Sequence, residues 1–109
     1  MSKPSEIPPG TLVMLILRVL RAGELHGYAI SQRIRQLSSD VLQVEEGSLY
    51  PALQRMLLKD WVSAEWGLSD TGRRVRFYKL TAAGRKQLEQ EVSDYERTSS
   101  AIHSVLKTA

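Results

Sequence analysis

Apolar positions along the chain fall into four runs with helical spacing and one segment where the period shortens to two. Leu12, Leu15, Ile16, Val19 and Leu20 recur as one helical stripe, and Val13 and Leu17 widen it onto a second face. A helix that is apolar on two faces has two things to bury against. Thr11 stands where a hydroxyl can cap orphan N–H groups, and Gly23 ends the run. After a short connector at 24–26, Tyr28, Ile30, Ile34 and Leu37 predict the apolar side of a second helix over 27–37, with Gln32, Arg33, Arg35 and Gln36 on its wet side. Ser38-Ser39-Asp40 breaks that helix, and Val41, Leu42 and Val44 alternate as a short extended piece.

Leu49, Leu53, Met56 and Leu57 predict a third helix over 46–59 and its core face. Proline is tolerated in a first turn, where its missing N–H has no partner to lose. Pro51 therefore puts the N-cap at Gly47 or Ser48, with Ser48, Tyr50 and Pro51 at the tip and Gln54 and Arg55 one turn on. Residues 61–66 then alternate as a strand, 67–72 form a turn with glycine at both ends, and 74–80 return as a second strand. Val75, Phe77 and Lys79 share one face of it, and Arg74, Arg76 and Tyr78 the other. Trp61 and Trp66 are read as anchors of this hairpin to the core.

Thr81 caps a last helix from Ala82 to about Leu106. Along it Leu88, Val92, Tyr95, Ser99, Ile102 and Leu106 recur at steps of three and four, the period of a coiled-coil seam that Ser99 interrupts. A helix of about 25 residues is roughly 40 Å long, too long to bury against so small a body, so a partner chain is expected. The fold class that follows is mainly α with a small β-hairpin: a winged helix-turn-helix over 11–80, a C-terminal dimerisation helix over 81–109, and a flexible N-terminal arm over 1–10.

Charge sharpens this reading. The net charge of +3 is mild, but Arg73, Arg74, Arg76, Lys79, Arg85 and Lys86 crowd between 67 and 86 against the single acid Asp70. Glu89, Glu91, Asp94 and Glu96 follow on the last helix. A helix fits the major groove of DNA and presents side chains to base edges, while a basic hairpin beside it reaches the neighbouring backbone or minor groove. Phosphate contacts from arginine and lysine supply salt-dependent affinity.

Other chemistries are poorly served. The chain has no cysteine, so disulfides, iron–sulfur clusters and thiolate zinc sites are excluded. His26 and His103 are far apart, no carboxylate cluster joins them, and neither a metal nor a cofactor is expected. Glu45-Glu46 sits where a helix dipole favours acids. There is no nucleophile–base pair and no glycine-rich phosphate loop, so the chain is not read as an enzyme. No run approaches the roughly 18 apolar residues of a membrane span. The proline-bearing segment 1–10 has no apolar signal core, and a cytoplasmic protein is expected.

The sequence also carries a resemblance. Gly47-Ser48-Leu49-Tyr50-Pro51-Ala52-Leu53-Gln54-Arg55-Met56 is similar to the G-[ST]-L-Y-P-x-L-x-R-L motif of PadR-like regulators. His26-Gly27-Tyr28-Ala29-Ile30 is similar to the family's Y-G-Y-E-I, and Arg73 to Gly84 resembles its wing-to-helix passage. The three stand in order over about residues 11–95. His26, Ala29 and Trp61 depart from the usual Tyr, acid and Gly without touching the logic of the fold. The resemblance implies a compact member of the family, a homodimer joined through the last helix with help from the first, and repression of a nearby gene relieved by a small aromatic or drug-like effector.

The DNA-contacting candidates are Tyr28, Gln32, Ser48, Tyr50, Pro51, Gln54, Arg55, Arg73, Arg74 and Arg76. Several have two readings. Tyr28 contacts phosphate or packs in the core, and Tyr50 contacts phosphate or packs at the helix tip. Ser48 caps the helix, contacts phosphate, or does both. Gln54 and Arg55 read adenine and guanine or form a solvated face. The dimer candidates are Val13, Leu17, Leu88, Val92, Tyr95, Ile102 and Leu106. Tyr95 is a seam residue or stacks on a flat ligand, in which case Val13, Leu17 and Val92 are its neighbours. Double-stranded DNA on an inverted repeat is the expected partner; the competing reading is a winged-helix adaptor that binds protein and never DNA.

Overall fold

The computed structural model describes residues 5–8 and 10–108; the rest of the arm expected at 1–10 lies outside the described residues. Four helices and five short strands follow in the order β1 (Ser5–Glu6), α1 (Leu12–Arg21), β2 (Leu25–His26), α2 (Gly27–Leu37), β3 (Leu42–Gln43), α3 (Glu46–Leu58), β4 (Val62–Leu68), β5 (Arg74–Leu80) and α4 (Ala82–Thr108). The molecule is mainly helical, with an antiparallel sheet in the order β2-β5-β4.

α1 is the centre of the packing and touches α2, α3, α4 and β5. Its Ile16 and Leu17 have no exposed surface, so the two apolar faces read from the sequence are both used inside one protomer. Ile30 and Ile34 of α2, Leu49, Leu53 and Met56 of α3, Val62 and Leu80 of the hairpin and Leu88 of α4 close the core around them. Thr11 does stand at the N-cap of α1, but its hydroxyl donates to the carbonyl of Pro8 (2.7 Å) instead of capping the helix.

Two segments pair that the sequence does not announce. Leu25 and His26, read as a connector, form β2 and lie against Tyr78 and Phe77 of β5. Ser5–Glu6 run parallel to Leu42–Gln43. Residue His26 also caps α2, its Nδ1 accepting from the N–H of Ala29 (3.3 Å). Both pairings join positions far apart in the chain, for which local periodicity carries no signal.

α3 spans Glu46–Leu58, close to the 46–59 expected, but its cap precedes the Gly47 or Ser48 that Pro51 suggests. Its N-cap is Glu45, whose carbonyl accepts from the N–H groups of Ser48 (3.0 Å) and Leu49 (2.9 Å). Pro51 is thus one turn into the helix and leaves the carbonyl of Gly47 without its helical donor, on an exposed turn where water can take its place. α2 and α3 both end in a left-handed turn made without glycine: Ser39 and Asp40 (φ 53° and 66°) and Asp60 (φ 60°) let Asp40 N–H reach Arg35 and Trp61 N–H reach Met56.

Three apolar positions lie elsewhere than expected. Tyr28 is exposed because it stands two residues before Ile30, nearly opposite it on the helix. Leu37 is exposed because α2 outruns the core at its last residue. Trp61, at the base of the hairpin, is half-buried against the core, but Trp66 is 62% exposed near the hairpin's free end and anchors nothing. β4 also runs through Gly67 to Leu68, so only Gly72 (φ 80°) serves the turn; Gly67 instead makes room for the ring of Phe77, which would lie 2.8 Å from a Cβ.

Thr81 ties α4 to the α3–β4 turn. Its hydroxyl donates to the carbonyl of Asp60 (2.5 Å) and accepts from Gly84 N–H (3.0 Å), while its own N–H donates to the carbonyl of Trp61 (3.1 Å). A Cβ at Gly84 would stand 2.0 Å from that Trp61 oxygen. Beyond Val92 the helix leaves the protomer: from Ser93 to Thr108 every residue but Ser99 is exposed.

Leu17→Ala is expected to lower stability by about 2–5 kcal/mol, the range for emptying a fully buried leucine site. Gly84→Ala is expected to cost about 1–3 kcal/mol, since backbone is what it meets. Urea denaturation of both variants checks this; a Gly84→Ala midpoint equal to that of the unaltered chain would show that α4 can shift freely.

Candidate nucleic-acid interface

The outer side of α2, the start of α3 and, from the β4–β5 wing, its 69–73 turn and β5 surround an open cleft of about 680 Å³. The Tyr50 ring of α3 rests on the open face of Gly27, where a Cβ would stand 2.7 Å from the phenolic oxygen, so a larger residue at 27 would turn the ring aside. The Tyr28 hydroxyl accepts from Nε2 of Gln32 one turn on (2.5 Å), holding the ring along the outside of α2. From the wing come Arg73, Arg76 and Tyr78.

Of the ten DNA-contacting candidates, the cleft brings together Tyr28, Gln32, Tyr50, Arg73 and Arg76. Tyr28 is therefore a surface residue and its core reading is set aside. Gln54 is exposed on α3, about 40° around the axis from Tyr50, and Pro51 is exposed beside it. Ser48 and Arg55 are exposed on the other flank, about 160° and 140° from Tyr50. Ser48 lines a shallow groove with Ile7 and Gln43, and Arg55 one with Lys59, Trp61 and Glu91. Adjacent in sequence, Gln54 and Arg55 thus present to different sides, and Ser48 makes no cap. Arg74 stands over the Trp66 ring, 4.8 Å from its centroid.

The cleft also gathers residues the sequence reading passed over. Arg33 of α2 adds a third cation opposite the wing, and Glu46 and Asp70 are its acids. Arg33 was visible as a wet-side residue following Gln32, but nothing local says that this side faces the wing. The phenol of Tyr78 is pushed above its ordinary value of 10.0 by burial, with the Arg76 guanidinium opposing the shift and Tyr50 adding to it.

The dimer and ligand candidates separate into two groups. Leu17 and Leu88 are enclosed in the protomer and have no surface to offer a partner or a ligand. Val13 and Val92 are half-buried and line different grooves. Tyr95, Ile102 and Leu106 are exposed, and Val105 joins them.

Residues 16–90 match the transcriptional regulator PadR-like family. The chain is similar to a transcriptional regulator from Clostridium thermocellum of known structure, with a TM-score of 0.80, 28% identity, and coverage of 87% of this chain and 92% of the other. It is also similar to a PadR family transcription regulator from Clostridium difficile R20291, with a TM-score of 0.76, 27% identity and coverage of 89% and 99%. An uncharacterised protein of Lysinibacillus sphaericus is 32% identical over 99 residues, 90% of each chain. The fold with its open basic cleft and these matches define a winged-helix regulator of transcription. The chain belongs to the PadR-like family, whose members bind DNA and are typically dimers. No described helix is long and apolar enough to cross a membrane.

The raised Tyr78 value has a measurable consequence. In alkali the unfolded chain gives up this proton before the folded one does, so folding stability falls as pH rises from about 10 upward. Tyr78→Phe is expected to flatten that part of the stability curve. Equal alkaline slopes for the two proteins would remove Tyr78 as its source.

Proposed function

We propose that the chain binds an inverted-repeat operator as a homodimer and represses the adjoining gene, each protomer setting α3 in the major groove. The observation that carries this is the convergence of Tyr28, Gln32, Tyr50, Arg73 and Arg76 on one open cleft beside the exposed Gln54 face of α3. The two phenols and Gln32 supply neutral donors, and the arginines supply charge, for a phosphate backbone passing between α2 and the wing. Gln54 is the base-reading candidate. Arg55, on the far flank, contributes little.

The homodimer reading rests on α4. A helix segment that packs on nothing and still carries Tyr95, Ile102, Val105 and Leu106 along one side is stable once a second copy covers that side. Two winged domains held in this way call for half-sites about one helical turn apart. The small aromatic or drug-like effector that the resemblance implies needs a cavity completed by the second subunit, with Val92 and Tyr95 as its wall and without Leu17.

A duplex selected by the protein from a randomised pool is the test ligand, read by fluorescence anisotropy across a salt series. Binding is expected at about 10⁻⁸–10⁻¹¹ M. Arg73→Ala and Arg76→Ala each reduce the salt slope by about 1, and Arg55→Ala leaves it unchanged. An unchanged slope in the Arg73/Arg76 double variant defeats the cleft as the phosphate site. Light scattering on the Ile102→Glu/Leu106→Glu variant is expected to show a monomer; a dimer of unaltered mass would move the interface elsewhere.

A further inference from the structure

The free end of the wing holds a combination that neither folding nor a phosphate contact explains. Residues paired across antiparallel strands point to the same side. On one side the hairpin therefore carries, from base to tip, Val62 with Leu80, Ala64 with Tyr78, Trp66 with Arg76, and Leu68 with Arg74. The first two pairs belong to the core or pack against it. The last two continue the same side into solvent, where Trp66 is 62% and Leu68 69% exposed. β4 is an edge strand of its sheet. A large apolar pair on an edge is a standing risk of association unless it serves a contact.

The surroundings say what kind of contact. Arg74 lies over the Trp66 ring at 4.8 Å, and Arg76 is its direct cross-strand neighbour. Arg76 also lines the cleft described above. Apolar surface interleaved with guanidinium groups and continuous with a basic cleft suits a polyanion with an apolar lining. The minor groove of duplex DNA has that character: apolar side chains enter it to press on sugars and base steps, and its negative potential draws arginine inward.

We infer that Trp66 and Leu68 form an apolar grip on the walls of the minor groove flanking the α3 contact, with Trp66 holding Arg74 extended for insertion between them. This inference rests on the DNA-binding reading and adds to it the part of the wing that enters the groove. Trp66 is then a contact residue as well as the residue that positions Arg74. Leu68 acts through apolar contact alone, which releases no counterions.

The experiment uses full-length protein labelled with 5-fluorotryptophan and the selected duplex. Its two fluorine resonances, from Trp61 and Trp66, are assigned by the loss of one in Trp66→Ala. On adding DNA the Trp66 resonance is expected to shift and to lose its solvent isotope effect, while that of Trp61 stays in place. Trp66→Ala is expected to weaken binding about tenfold, and Leu68→Ala about fivefold with no change in salt slope, on the scale of buried apolar side chains. Both side chains are exposed, so neither variant is at risk of unfolding. A Trp66 resonance unmoved at saturating DNA, with Trp66→Ala binding as tightly as the unaltered chain, overturns the grip and leaves the DNA reading standing. A shift that follows protein concentration without DNA overturns it in favour of edge contact between two copies. Failure of the unaltered chain to bind any duplex overturns both readings.

Discussion

A ten-residue helix with apolar side chains on more than one face is stable only when it is surrounded, and α1 is surrounded by three helices and a strand. Ile16 and Leu17 have no contact with water, and each flanking element reaches them with its own apolar side. The wing is held through Val62 and Leu80, α3 through Leu49, Leu53 and Met56, and α4 through Leu88. The mutual placement of α2, α3 and the hairpin is thus a consequence of packing on one buried rod. The same burial removes Leu17 from any role at a surface.

A second constraint acts on α4. The close approach of Gly84 to the Trp61 carbonyl, with the Thr81 hydroxyl bridging Asp60 and Gly84, fixes the angle at which the last helix leaves the body. One turn of backbone contact thereby directs a helix of 27 residues, most of which touches nothing else in the protomer. The direction of α4 is coupled in this way to the base of the wing. In the proposed homodimer the relative orientation of the two wings would depend on that coupling.

The cleft shows how a candidate binding surface is assembled from residues that individually look ordinary. Tyr28 and Gln32 are one helical turn apart and hydrogen-bonded, Tyr50 comes from another helix through the gap left at Gly27, and the arginines come from a strand. Gln54 and Arg55 illustrate the converse: neighbours in sequence, they are about 100° apart on the helix and meet different environments. Trp66 is a similar case, since an aromatic residue in an alternating strand reads as core unless the end of the core is known.

The order of elements, the apolar faces of α1 and α3, the basic second strand of the wing and the Thr81 cap were legible in the sequence, because each is a local pattern of period, charge or capping chemistry. The motifs around Tyr28, Tyr50 and Tyr78 pointed to the family for the same reason. Tertiary structure alone decided that 25–26 is a strand, that the cap of α3 is Glu45 in spite of Pro51, that Leu17 and Leu88 are internal, and that Tyr28, Gln32, Tyr50, Arg33, Arg73 and Arg76 face one space while Ser48 and Arg55 do not. These are facts about how far the core extends and which way each helix is turned about its axis. Both are set by contacts between residues distant in the chain, and a local pattern holds no record of them.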